Sequence, residues 1–224
     1  LNSPNNPSGS VFSEEEYLEF SKVLLKYPNI IVVSDEIYEH INYGSKSISF
    51  ASLPGMYERT VTVNGISKAF AMTGWRIGYL AAPKILAKAC NKMQGQITSG
   101  ANCIAQRAAI TALEESPERI KYMVDEFKIR RDLIIDLVNQ VNGFKVKQPP
   151  EGAFYIFPEV SDLFGKTFVE IAELTVNLIT NCIVSVQGEG TDVIADKDTI
   201  KEWLQTITKK DYDLIKGKVE ELSE

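Results

Sequence analysis

Apolar and polar positions follow two different periods along this chain, and the period changes with position. After Ser13-Glu14-Glu15-Glu16, the apolar residues Tyr17, Phe20 and Leu24 recur at helical spacing. Serine at the N-cap with glutamate three residues on forms a capping box. The pattern therefore predicts a helix from Ser13 to about Lys26, stopped by Pro28-Asn29. Ile30–Val33 is wholly apolar and β-branched, as expected of a short strand covered on both faces, and polarity returns abruptly at Ser34-Asp35-Glu36. Thr60–Gly65 (TVTVNG) and Ile77–Ala82 (IGYLAA) read as two further strands. Strands separated by helices or long crossovers predict an α/β layered fold with a mostly parallel sheet.

From Pro83 the pattern turns helical. Helices are predicted near 83–93 and 103–115, then a long one over about 117–142. In the long helix Ile120, Val124, Phe127, Leu133 or Ile134, and Leu137 keep roughly helical spacing, and Gly143 supplies a C-cap. Beyond it, 144–148 (FKVKQ), 153–157 (AFYIF) and 182–186 (CIVSV) read as short strands, with a helix at about 168–180 among them. Two polar helices, about 197–208 and 210–222, form the tail. The expected organisation is a large α/β domain over 1–120 and a smaller C-terminal α+β domain over 121–224, the boundary falling inside the long helix near 118–130.

A length of 224 residues suffices for one large domain, or for one domain and part of a second. The 44% hydrophobic and 24% charged content is that of an ordinary globular protein. A net charge of −6 argues against a nucleic-acid binder that works by neutralising phosphates. The cysteines, Cys90, Cys103 and Cys182, are widely spaced and odd in number, which fits a reducing, cytoplasmic compartment. The only histidine, His40, excludes a multi-histidine metal site. No apolar run reaches the ~18 residues of a membrane span, and no signal-peptide pattern opens the chain. LNSPNNPSG reads like the end of a strand running into a turn, so the expectation is that this chain is a piece of a longer protein.

In an open α/β sheet, ligands sit beyond the carboxyl ends of the strands. Asp35 lies there, directly after the first apolar run, and Lys68 lies just beyond TVTVNG. Asn6 falls in the turn after a strand that would end near Leu1. Each has a plainer reading. An aspartate after a strand can be a helix cap, a lysine can be solvated, and Asn-Pro marks turns. Arg76 between glycines can be a surface arginine, and Tyr38 can be a packing aromatic.

Taken in order, NNPSG, VVSDEIYEHI, NGISKAFAMTGWRIGY and EGAFYIF resemble the class I aminotransferases of pyridoxal-phosphate fold type I, and most of all the bacterial-type aspartate aminotransferases, over roughly residues 1–190. The resemblance implies part of that fold's large domain followed by a smaller α+β domain. It implies pyridoxal 5'-phosphate as cofactor, an amino acid and a 2-oxo acid such as 2-oxoglutarate as substrates, and a homodimer. Lys68 then matches the lysine that holds the cofactor as a Schiff base and moves the substrate proton. Arg76 matches the arginine that grips the cofactor phosphate, its planar fork suited to a dianion and its flanking glycines permitting close backbone approach. Asp35 matches the carboxylate paired with the pyridine nitrogen. Tyr38 and Asn6 match groups bonded to the ring 3'-oxygen, Asn6 also lying beside the substrate carboxylate. Residues 152–155 resemble a segment on the substrate side of the cleft.

Three departures stand out. Many relatives carry a phosphate-binding serine three residues before the lysine, where this chain has Gly65; Ser67 is the hydroxyl available instead. The family binds the substrate α-carboxylate with a C-terminal arginine, and this chain has no arginine after Arg131. The family's N-terminal portion, with its glycine-rich phosphate cup, is not matched. The alternatives left open are another fold type I enzyme (an aromatic or alanine aminotransferase, or a β-lyase) and a truncated remnant without activity.

Overall fold

The computed structural model describes residues 1–44, 47–115 and 117–166, with positions 170 and 174. The expected strand at 182–186 and helices at 197–208 and 210–222 lie outside the described residues, as does all but two positions of the helix at 168–180.

Helix α1 spans Glu14–Leu25. Ser13 Oγ accepts from the Glu16 N–H (3.2 Å) and Glu16 Oε2 from the Ser13 N–H (2.8 Å), which closes the capping box. Its buried face is Tyr17, Ser21 and Leu24. Phe20, expected on that face, is exposed, because positions i, i+4 and i+7 fall in line and position i+3 falls at the rim. Ser21 is accommodated by donating to the Leu18 carbonyl at 2.8 Å.

Strand β1 (Val32–Asp35) pairs in parallel with β2 (Thr60–Gly65), Asp35 opposite Val63. β2 pairs with β3 (Gly78–Ala81) in antiparallel, Gly65 opposite Gly78. On the other side of β1, Asn2 forms a parallel bridge to Asp35, and the Asp35 N–H donates to the Leu1 carbonyl at 2.9 Å. The sheet is therefore parallel on both sides of β1, with β3 as an antiparallel strand beside β2.

The expectation that 30–33 is covered on both faces does not hold. Val32 and Ser34 are buried, whereas Ile30, Ile31 and Val33 are exposed. The strand also starts two residues late, because the Ile30 N–H is still tied to the Tyr27 carbonyl in the turn after α1. Strand alternation sends Val32 into a cluster with Tyr17, Leu24, Phe50, Leu53 and Met56 and sends Val33 to the opposite face.

Helix α2 (Lys84–Ile97) runs four residues past its expected end and has no buried residue. Helix α3 (Cys103–Glu114) is capped by Asn102 Oδ1, which accepts from the N–H groups of Ile104 and Ala105 at 2.9 and 3.1 Å. Its Ala105 and Ala109 pack on Ile66 and Ile77. The long helix resolves into a 3₁₀ turn, Pro117–Ile120, and α4 (Lys121–Asn139), on which Ile134 rather than Leu133 faces inward. Gly143 is not its cap: it lies four residues beyond the last helical residue, at φ +88°. A Cβ there would stand 2.2 Å from Leu163 Cδ2.

The chain divides into two compact units. One comprises Leu1–Ile129 with Pro150–Ile156; the other comprises Arg130–Pro149 and the chain from Phe157. Two expected strands are absent. Residues 144–148 contribute a single antiparallel bridge, Lys145 to Glu159, in the second unit. Residues 153–157 are irregular, with Ala153 at φ +55°, because the backbone of 151–153 is committed to turns of the first unit. No helix among the described residues is long and apolar enough to cross a membrane.

Candidate functional site

Asp35 is the last residue of β1, and the chain turns sharply after it. Asp35 Oδ1 accepts from the Ile37 N–H at 3.2 Å, the Glu36 N–H donates to the Val63 carbonyl at 2.9 Å, and the Ile41 N–H donates to the Tyr38 carbonyl at 2.8 Å. The turn buries Tyr38, which is 3% exposed, with Ile41 and Ala153. Lys68 sits in the turn directly after β2, half-buried, with Nζ 5.8 Å from the centroid of the Tyr38 ring and 5.5 Å from that of Phe154. At such distances an ammonium is attracted to aromatic faces.

The turn bearing Asn6 is built by side chains acting on backbone. Asn2 Oδ1 accepts from the Asn6 N–H at 2.8 Å, and Asn5 Oδ1 from the Ser8 N–H at 3.1 Å. Asn6 Nδ2 donates to Tyr155 Oη at 3.3 Å, and the Tyr155 and Tyr38 hydroxyls lie 2.6 Å apart.

The segment carrying Tyr155 is pinned from both sides. The N–H groups of Glu151 and Gly152 both donate to the Gly9 carbonyl at 2.9 Å, and that of Ala153 to the Ile41 carbonyl at 2.8 Å. Tyr43 reaches back through its N–H to the Glu151 carbonyl (2.8 Å) and through its hydroxyl to the Ala153 carbonyl. Gly152 lies so close that a Cβ would stand 2.6 Å from Pro4 Cβ and 3.0 Å from the Ile41 carbonyl oxygen. Phe154 packs edge-on against Tyr38 and beside Phe127, each with ring centroids 5.4 Å apart.

Burial, above all, pushes the Tyr38 hydroxyl well above the ordinary phenol value; the hydrogen bond to Tyr155 and the charge of Asp35 add to it, and Asn6 acts in the opposite direction. Tyr38 is therefore a neutral hydroxyl, able to donate, at neutral pH. Asn6, Tyr38 and Lys68 are thus brought together, with Asp35 near enough to act on Tyr38.

Arg76 is exposed. It takes a left-handed conformation (φ +55°), and its Nη1 donates to the Thr73 carbonyl at 3.0 Å. It borders two surface cavities of about 730 and about 560 Å³, which it shares with Gln94 and Ala101 and which Lys68, Asp35 and Tyr38 do not line. Protein packing does not demand either flanking glycine: a Cβ at Gly74 would meet nothing within 4 Å, and one at Gly78 would make ordinary contact at 3.4 Å. The positive φ is taken by Arg76 itself.

Ser67, half-buried, immediately precedes Lys68 in the same turn. The glycine at 65 has a physical reason, since a Cβ there would stand 2.9 Å from the Ile77 carbonyl oxygen, leaving no room for a serine on this backbone. Sequence reading missed the partnership of Tyr155 with Tyr38 and Asn6. The available signal was a tyrosine three residues after Glu151-Gly152, in a segment noted only for its likeness to relatives.

The model for aminotransferase class I and II matches residues 1–204. An aspartate aminotransferase of Pinus pinaster is 50% identical over 169 residues, which cover 74% of this chain and 34% of that protein. A probable aspartate/prephenate aminotransferase of Rhizobium leguminosarum bv. phaseoli is 46% identical over 169 residues, 75% of this chain and 42% of the relative. Among solved structures, the aspartate aminotransferase of Rhizobium meliloti superposes with a TM-score of 0.74 at 33% identity, covering 93% of this chain and 57% of that one. The aromatic aminotransferase of Pyrococcus horikoshii OT3 gives 0.71 at 33% identity, covering 95% and 60%. The chain thus spans less than half the length of these two curated relatives. The α/β fold is that of the fold type I aminotransferases, and with a match that runs through all three strand-end turns, this chain belongs to the class I and II aminotransferase family.

Proposed function

We propose that the full-length protein is a pyridoxal 5'-phosphate-dependent aminotransferase moving an amino group from L-aspartate, or a related amino acid, to 2-oxoglutarate. The observation that carries the reading is the Lys68 amine near the faces of the Tyr38 and Phe154 rings, with Tyr38 in the turn that begins after Asp35. The donor set fits the cofactor group by group: an amine for its aldehyde, a carboxylate for its ring nitrogen, a neutral phenol and an amide for its phenolic oxygen, and a guanidinium for its phosphate. When bound, pyridoxal phosphate supplies an aldehyde that joins amines and a ring that takes up the electrons left at the substrate α-carbon.

The chain's own residues do the rest. Lys68 Nζ anchors the group and carries the proton to and from the α-carbon. The Asp35 carboxylate holds a proton on the ring nitrogen by opposite charge. Tyr38 Oη and Asn6 Nδ2 donate to the phenolic oxygen, Asn6 also facing the substrate carboxylate. The Tyr38 and Phe154 rings flank the amine, and the Ser67 hydroxyl assists Arg76 at the phosphate. The family's homodimer and a cytoplasmic setting belong to the same proposal.

A second reading, an aminotransferase for aromatic substrates, is favoured by the likeness to the P. horikoshii enzyme. Full-length protein mixed with pyridoxal phosphate should develop an absorption band in the near-ultraviolet to violet that Lys68→Ala abolishes. Addition of aspartate, glutamate or phenylalanine then ranks the substrates. A band that persists in Lys68→Ala, or a loaded protein that reacts with no amino acid, refutes the proposal.

A further inference from the structure

We propose that Tyr155 is a positioning residue for Tyr38: its hydroxyl, held by Asn6, fixes where the Tyr38 hydroxyl stands and keeps it paired whether or not a ligand oxygen faces it. The inference deepens the function proposed above and rests on it for the identity of that oxygen, the phenolic oxygen of pyridoxal phosphate.

The 2.6 Å separation of the two hydroxyls is at the short end for a hydrogen bond between oxygens, and either can be the donor. Asn6 Nδ2 can only donate, so Tyr155 Oη offers it a lone pair and keeps its own proton free to rotate. With no acceptor in front of Tyr38, the Tyr38 proton turns toward Tyr155. With an acceptor there, Tyr155 rotates and donates into Tyr38, which releases the Tyr38 proton outward. At 3% exposure, Tyr38 would otherwise face the full cost of an unmade bond in one of those two states.

The device depends on Tyr155 staying in place, and its segment is fixed for that. Three backbone N–H groups at 151–153 are committed to Gly9 and Ile41, and the neighbouring Phe154 ring is packed against both Tyr38 and Phe127. Burial, the Tyr155 bond and Asp35 together keep Tyr38 neutral, so its proton stays available to give.

Tyr155→Phe keeps the ring and removes only the hydroxyl. In cofactor-free protein labelled with [13Cζ]tyrosine, the Tyr38 resonance, assigned by its loss in Tyr38→Phe, should shift in Tyr155→Phe. In the loaded protein, the pH midpoint of the cofactor's visible absorbance should move in the same direction as in Tyr38→Phe and less far, by roughly half a unit to one unit, the worth of one hydrogen bond. The double variant should match Tyr38→Phe alone, because Tyr155 acts through Tyr38. An unmoved Tyr38 resonance overturns the inference, as does a double-variant shift equal to the sum of the two single shifts. Should the parent protein never take up the cofactor, the function proposed above fails, and the carbon resonance in the empty site still decides this inference.

Discussion

Arg59 offers a test of how the first unit is held together. The residue is 9% exposed, yet among the described residues no carboxylate is seen to pair with it. Instead Nη1 donates to the Leu24 carbonyl at 2.8 Å, Nε and Nη2 to the Ile30 carbonyl at 3.0 and 2.7 Å, and Nη2 also to Tyr27. These carbonyls lie where α1 ends and the chain turns into β1, the negative pole of the helix; those of Leu24 and Tyr27 also accept from the Tyr27 and Ile30 N–H groups. Arg59→Met keeps the apolar stem and removes the donors. The Leu24 carbonyl keeps the Tyr27 N–H but loses a charged donor in the interior, which costs about 1.5–2 kcal/mol, the low end for a charge-assisted bond. The other two carbonyls lie nearer solvent and rehydrate, leaving mainly the lost charge–dipole attraction, about 0.3–2 kcal/mol. The sum is about 2–4 kcal/mol, and Arg59→Lys, a point charge with one reach, should recover a minority of it. Because the chain has two units, the measurement is local: hydrogen exchange of the slowest α1 amides should accelerate roughly 30- to 900-fold in Arg59→Met. Acceleration below about threefold, or full recovery by lysine, refutes the assignment of Arg59 as the clamp on that turn.

Gly152→Ala places a Cβ against a proline ring and a carbonyl that cannot give way. It should cost about 1–3 kcal/mol in urea unfolding of the first unit and should separate Tyr155 from Tyr38; an unchanged transition would show that the turn has slack. Glu36 accepts from the Ser34 and Ser49 hydroxyls and the Phe50 N–H, but burial outweighs them and its carboxyl sits above the ordinary value of 4.5. With the folded value raised, its stabilising contribution is complete below the unfolded value and is lost as pH rises through the folded one. Glu36→Gln should therefore melt progressively higher relative to the parent as pH rises above the unfolded value; a flat difference, or one that grows toward acid, counts against this sign.

What could be read in advance was local. The capping box of α1 lies within four residues and behaves as written, and TVTVNG forms β2 with the expected limits. Asp35 ends the strand that announced it, and Lys68 stands just past its own. What could not be read depends on distant partners. The 153–157 run looks like a strand because its residues are apolar and aromatic, but its hydrogen bonds go to turns far away in sequence. Tyr155 meets Tyr38 across 117 residues and Asn6 across 149. Val33 was misjudged for a related reason: a run that is apolar at every position says nothing about which of its faces finds a cover.

The strand directions explain why residues so scattered in sequence share one rim. Parallel strands deliver their carboxyl ends to the same edge of the sheet, so Asp35, at the end of β1, and the turn after β2, bearing Lys68, are neighbours as soon as Asp35 pairs with Val63. The parallel bridge from Asn2 to Asp35 brings Asn6, four residues on, to that same edge. Arg76 is different, because it precedes its strand. Were β3 parallel like its neighbours, Arg76 would be left at the amino-terminal edge, a strand length away from Lys68. The antiparallel pairing of Gly65 with Gly78 reverses this and places the residue two before β3 on the same edge as the residue three after β2. One reversed strand in an otherwise parallel arrangement is thus what lets an arginine that follows the lysine by eight residues share its end of the sheet.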